Sequence, residues 1–233
     1  MHLKAVAFLA LAACLWLPKV QAGVDIGSTR VVYQGKEKNA TLNVSNSDND
    51  GTPYLVQSWV SHYDNRDESA DEFITTPPLF RLDAKVQNVL RIIATDTQNL
   101  PTDKESLFLL NVKAIPAISD EQRNKNVLQI ALKTSIKLFY RPADLKGTLV
   151  DGVKQLQWRV ENGKLTVHNP SGFNVVVSEL LINNTARPDT PDVIKPGSTL
   201  TTQIPLKNSD KLVLSYIDEY GSVVKVAPVT PHQ

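Results

Sequence analysis

The chain has 233 residues, with 25 Lys and Arg against 24 Asp and Glu, and a single cysteine, Cys14. So balanced a charge gives no electrostatic basis for binding nucleic acid or an anionic membrane surface. One cysteine excludes an internal disulfide framework, so the fold must rest on hydrophobic cores, which a chain of this length supplies most naturally as two domains of about 100 residues.

In chain order, residues 1–22 read as an export segment. "MHLK" supplies a short positive start, "AVAFLALAACLWLP" an apolar stretch and "VQA" a small-residue cleavage site before Gly23. The apolar stretch is too short to span a membrane, and no later segment approaches that length. "LAAC" at Leu11–Cys14 resembles a lipid-attachment box, but the apolar run continues past it to Leu17. Soluble export, with the mature chain starting at Gly23, is the expectation.

Strand-like runs bounded by turn residues then recur: "TRVVYQG", "ATLNVSN", "PYLVQSWV", "VLRIIAT", "SLFLLNVKAI", "LQWRVENGKLTVHNP", "NVVVSELLI" and "KLVLSYIDEYG". Their Val, Ile, Leu and Tyr content, with turn clusters such as "NSDNDGTP", fits short strands rather than helices. No segment of ten or more residues carries a helical stripe, and "ISDEQRNKN" is polar on every side and reads as a loop. Many short strands at this spacing predict an all-β chain of sandwiches.

One run is too long. "NVLQIALKTSIKLFYRP" places Leu128, Ile130, Leu132, Thr134, Ile136, Leu138 and Tyr140 on one face. Val127 to Arg141 at ~3.3 Å per residue would extend roughly 50 Å, two or three times a usual strand. If nothing in the chain covers that face, the strand is half of something else. Pro142 ends it, and "RPADLKGT" marks a domain boundary, with new strands expected near Leu149. This predicts an export segment at 1–22, a first domain at 23–143 and a second at 147–233.

Enzyme signals do not appear. The sequence has no GxSxG, GxGxxG, Walker loop or HExxH. His62, His168 and His232 are scattered at spacings that suggest no metal site. "YDNRDESADEF" reads as a solvated charged loop, and the sequons at Asn39, Asn43 and Asn183 arise easily in Asn-rich turns. No catalytic residue, metal or cofactor is expected. Lys137 interrupts an apolar segment and Arg30 opens the first strand-like run, but neither identifies a site unaided.

Taken together, the segments resemble the periplasmic chaperones of pilus assembly, the PapD-like chaperone–usher family. The likeness rests on "TRVVYQG", "PYLVQSWV", "FITTPPLFRL", "LPTDKESLFLLNVKAIP" and "LQIALKTSIKLFYRP", with looser matches at "LTVHNPSGF" and "YIDEYGS". It implies two immunoglobulin-like β-sandwich domains in a boomerang arrangement. Arg30, from "TR", and Lys137, from "IKLFYRP", would hold the C-terminal carboxylate of an immature pilus subunit. Leu128, Ile130 and Leu132 would fill the groove of that subunit by donor-strand complementation, while residues from about Ile136 would belong to this chain's own core. Glu105, Arg141 and Glu219 are the matching candidates for ionic contacts between the domains.

The resemblance further implies pilus subunits and an adhesin as partners, delivery to an outer-membrane usher, and a periplasmic location. The exposed donor strand would also allow self-association of the free chain. Leu109 stands where an aromatic residue is usual and is expected to alter core packing without touching the site. The short loop before the donor strand, without flanking cysteines, points to the short-loop branch, which usually serves rod-like adhesive pili. Two alternatives rank lower. A pilus structural subunit or adhesin would be one incomplete sandwich, typically with a disulfide, and an exported carbohydrate-binding sandwich would need a polar pocket.

Overall fold

The computed structural model describes residues 23–48, 51–118 and 125–231. The export segment, the middle of the "AISDEQRNKN" loop and His232 lie outside them. The first domain holds β1 (Val24–Ile26), β2 (Arg30–Gln34), β3 (Ala40–Asn46), β4 (Tyr54–His62), β5 (Phe73–Thr76), β6 (Leu79–Leu82), β7 (Gln87–Ala94), β8 (Ser106–Pro116) and β9 (Leu132–Arg141). They form two sheets, in the orders β1-β3-β7-β5 and β2-β9-β8-β4-β6. Every pair is antiparallel except β2 with β9.

Period-two alternation explains the packing. Leu42 and Val44 of β3 with Leu90 and Ile92 of β7 supply one wall of the core. Val56 and Val60 of β4, Leu110 and Val112 of β8, and Ile136 and Leu138 of β9 supply the other. Each such buried aliphatic contributes about 1.5–3 kcal/mol before ordering costs.

The second domain begins with a helix, α1 (Leu149–Lys154), followed by β10 (Gln157–Glu161), β11 (Lys164–His168), β12 (Val175–Ile182), β13 (Thr185–Ala186), β14 (Val193–Ile194), β15 (Thr199–Pro205), β16 (Leu212–Ile217) and β17 (Val223–Lys225). Its sheets run β10-β11-β15 and β13-β12-β16-β17, with β14 also pairing β12. The chain is thus two immunoglobulin-like sandwiches with separate cores.

Three expectations need correction. Strands do not resume near Leu149, because Thr148 accepts a hydrogen bond from the Asp151 amide at 3.1 Å and caps α1. Leu149 and Val153, four apart, bury one side of a helix too short to show a periodic stripe. The long strand is also shorter than its alternation suggests. β9 starts at Leu132, opposite Ala114 near the end of β8, and residues 126–131 have no ladder partner among the described residues to hold them as strand. Finally, Leu109 is not a core packing residue. It is 4% exposed but pairs with Lys137 and with Ser61, on the sheet face opposite the core.

Candidate functional site

The register of β2 on β9 sets Arg30 directly beside Lys137. Leu109 of β8 and Ser61 of β4 continue the same row across the sheet. Their chain neighbours Val31, Leu138, Leu110 and Val60 belong to the core, so the row faces the other way, toward the second domain.

Arg30 is 8% exposed. Its Nη1 donates to the Ile217 carbonyl at 3.2 Å, its guanidinium lies 5.8 Å from the Phe139 ring centre, and its buried Nε has no hydrogen-bond partner among the described residues. Burial pulls its pKa down while Asp218 and Asp192 oppose that, and a guanidinium remains charged regardless. Lys137 donates to Asp192 Oδ1 at 2.9 Å, and Tyr63 Oη donates to Asp192 Oδ2 at 2.6 Å. Burial pushes the Asp192 carboxyl up, but Tyr63 and Lys137 outweigh it and hold the pKa below the ordinary carboxylate value. Burial and then the same carboxylate push the Tyr63 phenol up. Beside them, Lys195 Nζ meets both oxygens of Asp64 at 2.5 and 2.6 Å.

A second cross-domain cluster is more deeply buried. Arg141 Nε and Nη2 donate to Glu105 Oε1 at 2.9 and 2.8 Å, and Nη2 also lies 2.5 Å from Glu219. The Asn174 amide donates to Glu105 Oε2 at 2.9 Å, and the Glu105 amide to the Gly172 carbonyl at 2.8 Å. Gly172 permits this approach, because a Cβ there would sit 2.8 Å from the Asp103 carbonyl oxygen. Glu105, Arg141 and Glu219 therefore meet where the two domains touch.

Glu105→Ala is expected to cost about 1–3 kcal/mol, because it leaves Arg141 with Glu219 alone and the buried Asn174 amide without its acceptor. Glu105→Gln, which keeps a partner for Asn174, should cost less, and thermal unfolding of the two variants checks the order. Burial raises the Glu105 pKa above 4.5 although Arg141 and Asn174 pull it down. The folded chain then keeps a proton that the unfolded chain releases, so this group's share of stability falls as pH rises through the folded pKa. Glu105→Gln should remove that slope.

Leu128, Ile130 and Leu132 are 86%, 60% and 63% exposed. Leu132 opposes Ala114 and Thr134 opposes Val112, so this part of β9 continues the core-facing side of the sheet. The other sheet ends at the short strand β1, leaving an open seam. A cavity of about 190 Å³ there is lined by Val24, Ile26, Tyr54, Val112, Ile130 and Leu132 among others. Because β2 pairs only with Lys137–Arg141, the adjoining edge of Leu132–Ile136 has no strand partner among the described residues. Leu132 lies five residues, roughly 17 Å of strand, from Lys137.

Sequence reasoning missed Tyr63 and Asp192, and it assigned Leu109 to the core rather than to the row beside Lys137. Tyr63 stands in a stretch whose polar composition reads as solvated, and Asp192 in a turn with no motif. Among the described residues, no group of three or more His, Cys, Asp or Glu is placed to hold a metal ion.

Residues 23–146 match the family described as pili and flagellar-assembly chaperone, PapD N-terminal domain, and residues 151–227 match the PapD C-terminal domain. A probable fimbrial chaperone LpfB of Escherichia coli O157:H7 is 39% identical over 222 residues, covering 94% of each chain. The chaperone protein FimC of Escherichia coli K12 is 37% identical over 205 residues, covering 88% of this chain and 83% of its own. Among solved structures, the SafB chaperone of Salmonella enterica, in complex with the SafA pilin, is similar at a TM-score of 0.76 and 31% identity, covering 91% of this chain and 96% of that one.

Proposed function

The chain belongs to the PapD family of pili-assembly chaperones, and from that premise we propose that it captures an immature pilus subunit in the periplasm at Arg30, Lys137 and the start of β9. It is a fimbrial chaperone, not an enzyme. Arg30 and Lys137 take the subunit's C-terminal carboxylate through charge-assisted hydrogen bonds, which set the register of everything upstream. Leu128, Ile130 and Leu132 enter the subunit's open groove at period-two spacing, while backbone pairing gives affinity that does not depend on sequence. Tip adhesins built like the other subunits bind in the same way. Each capped subunit then passes to an outer-membrane usher.

The observation that carries this reading is the parallel register of β2 on β9. A strand docked on the free edge of Leu132–Ile136 prolongs the line of β2 backwards. If it runs parallel to β9, as β2 does, its C-terminus arrives at Arg30 and Lys137. The anchor and the apolar row therefore serve a single segment.

The function is tested by co-expression with a pilus subunit in the periplasm. The subunit should accumulate as a soluble one-to-one complex and be degraded or aggregated without this chain. A subunit equally soluble in both cases refutes the proposal.

A further inference from the structure

The carboxylate seat is not empty in the free chain. Lys137 and Tyr63 each hold one oxygen of Asp192, a carboxylate contributed by the second domain. We propose that Asp192 is an internal occupant of the subunit's carboxylate seat, that the incoming C-terminus displaces it, and that Tyr63 is a further donor in that seat. This rests on the reading of Arg30 and Lys137 as the anchor.

Three features support an exchange. The Asp192 side chain is 51% exposed, so it has room to swing into solvent. Its backbone stays in place, because its carbonyl accepts from the Val177 amide at 3.0 Å. The Asp64–Lys195 pair bridges the same two segments independently, so releasing Asp192 does not undo the contact between domains. The Arg30 Nε, buried and without a partner among the described residues, is a donor that Asp192 leaves unused. A carboxylate arriving along the β9 edge has that donor to gain.

The consequence is selectivity. A C-terminus offering only its carboxylate exchanges one ion pair for an equivalent one and gains little. A subunit strand that also pairs with β9 and covers the apolar row gains enough to displace Asp192. The internal carboxylate thus rejects the generic C-termini of other exported proteins.

The probe is a peptide of the last strand of the subunit that co-purifies with this chain, made with a free carboxylate and with a carboxamide. Asp192→Asn should bind the carboxylate form about two- to fivefold more tightly, the range expected of a partly exposed ion pair. It should bind the carboxamide form unchanged. Adding Tyr63→Phe should weaken the carboxylate form by about three- to tenfold and again spare the carboxamide. Equal or weaker carboxylate binding by Asp192→Asn overturns the proposal, and Asp192→Ser serves if the asparagine variant does not fold. The failures separate cleanly. If the wild-type chain shows no preference for the carboxylate, the anchor reading falls. If Lys137→Ala loses that preference but Asp192→Asn gains nothing, only the internal occupant falls.

Discussion

Lys137→Ala is expected to abolish subunit capture while leaving a folded chaperone. The ammonium sits on the side of β9 that faces the second domain, beside Arg30 and away from the core, with 20% of its side chain exposed. Its ion pair to the half-exposed Asp192 contributes no more than about 1 kcal/mol to the fold. In the complex the subunit's terminal carboxylate would be buried against two cations. Removing one of them costs about 2–5 kcal/mol, or roughly thirty- to several-thousandfold in affinity. Arg30→Ala should lose as much binding but is the less clean variant. Arg30 also covers Phe139 and donates to the Ile217 carbonyl, so its removal loosens the contact between domains. Subunit recovery from the periplasm, compared with the thermal midpoint of the free variant, separates the two effects. Lys137→Ala that still recovers its subunit normally would remove the anchoring role.

Much of the fold is legible because most strands have one wet face and one dry face. Ala40–Asn46 and Gln87–Ala94 alternate visibly, and both form strands. The readings that failed depended on neighbours the local pattern does not contain. Alternation from Val127 continues unbroken into β9, yet a strand needs a ladder, and β8 supplies one only from Leu132. Leu109 is apolar in an apolar run, and only the register with Lys137 reveals that it faces the second domain. The site shows the same division. Motif resemblance alone singles out Arg30 and Lys137, and no spacing argument joins two residues so far apart in the chain. Their adjacency comes from the parallel pairing of β2 and β9. Tyr63 and Asp192 carry no local signal at all. They acquire meaning only when two domains bring a phenol and a carboxylate to 2.6 Å.

Ile130→Lys is expected to separate binding from stability most sharply. Ile130 is 60% exposed and precedes the first paired residue of β9, so a lysine there should change the stability of the free chain by no more than about 0.5 kcal/mol. In the complex the same side chain would enter an apolar groove, where an unpaired ammonium costs several kcal/mol. That corresponds to a loss of about a hundredfold or more in affinity. Val223→Lys is the matched control. It is 63% exposed on β17 of the second domain, away from the proposed strand, and should alter neither property. The measurement is thermal unfolding of each free variant beside its yield of co-purified subunit. The position of Ile130 at the mouth of the seam between β1 and β9 makes the comparison decisive. If that seam were this chain's own core, the lysine would be expelled from it and the melting temperature would fall by many degrees. If it is the place where a subunit completes the packing, the free chain should melt as before and emerge from the periplasm alone.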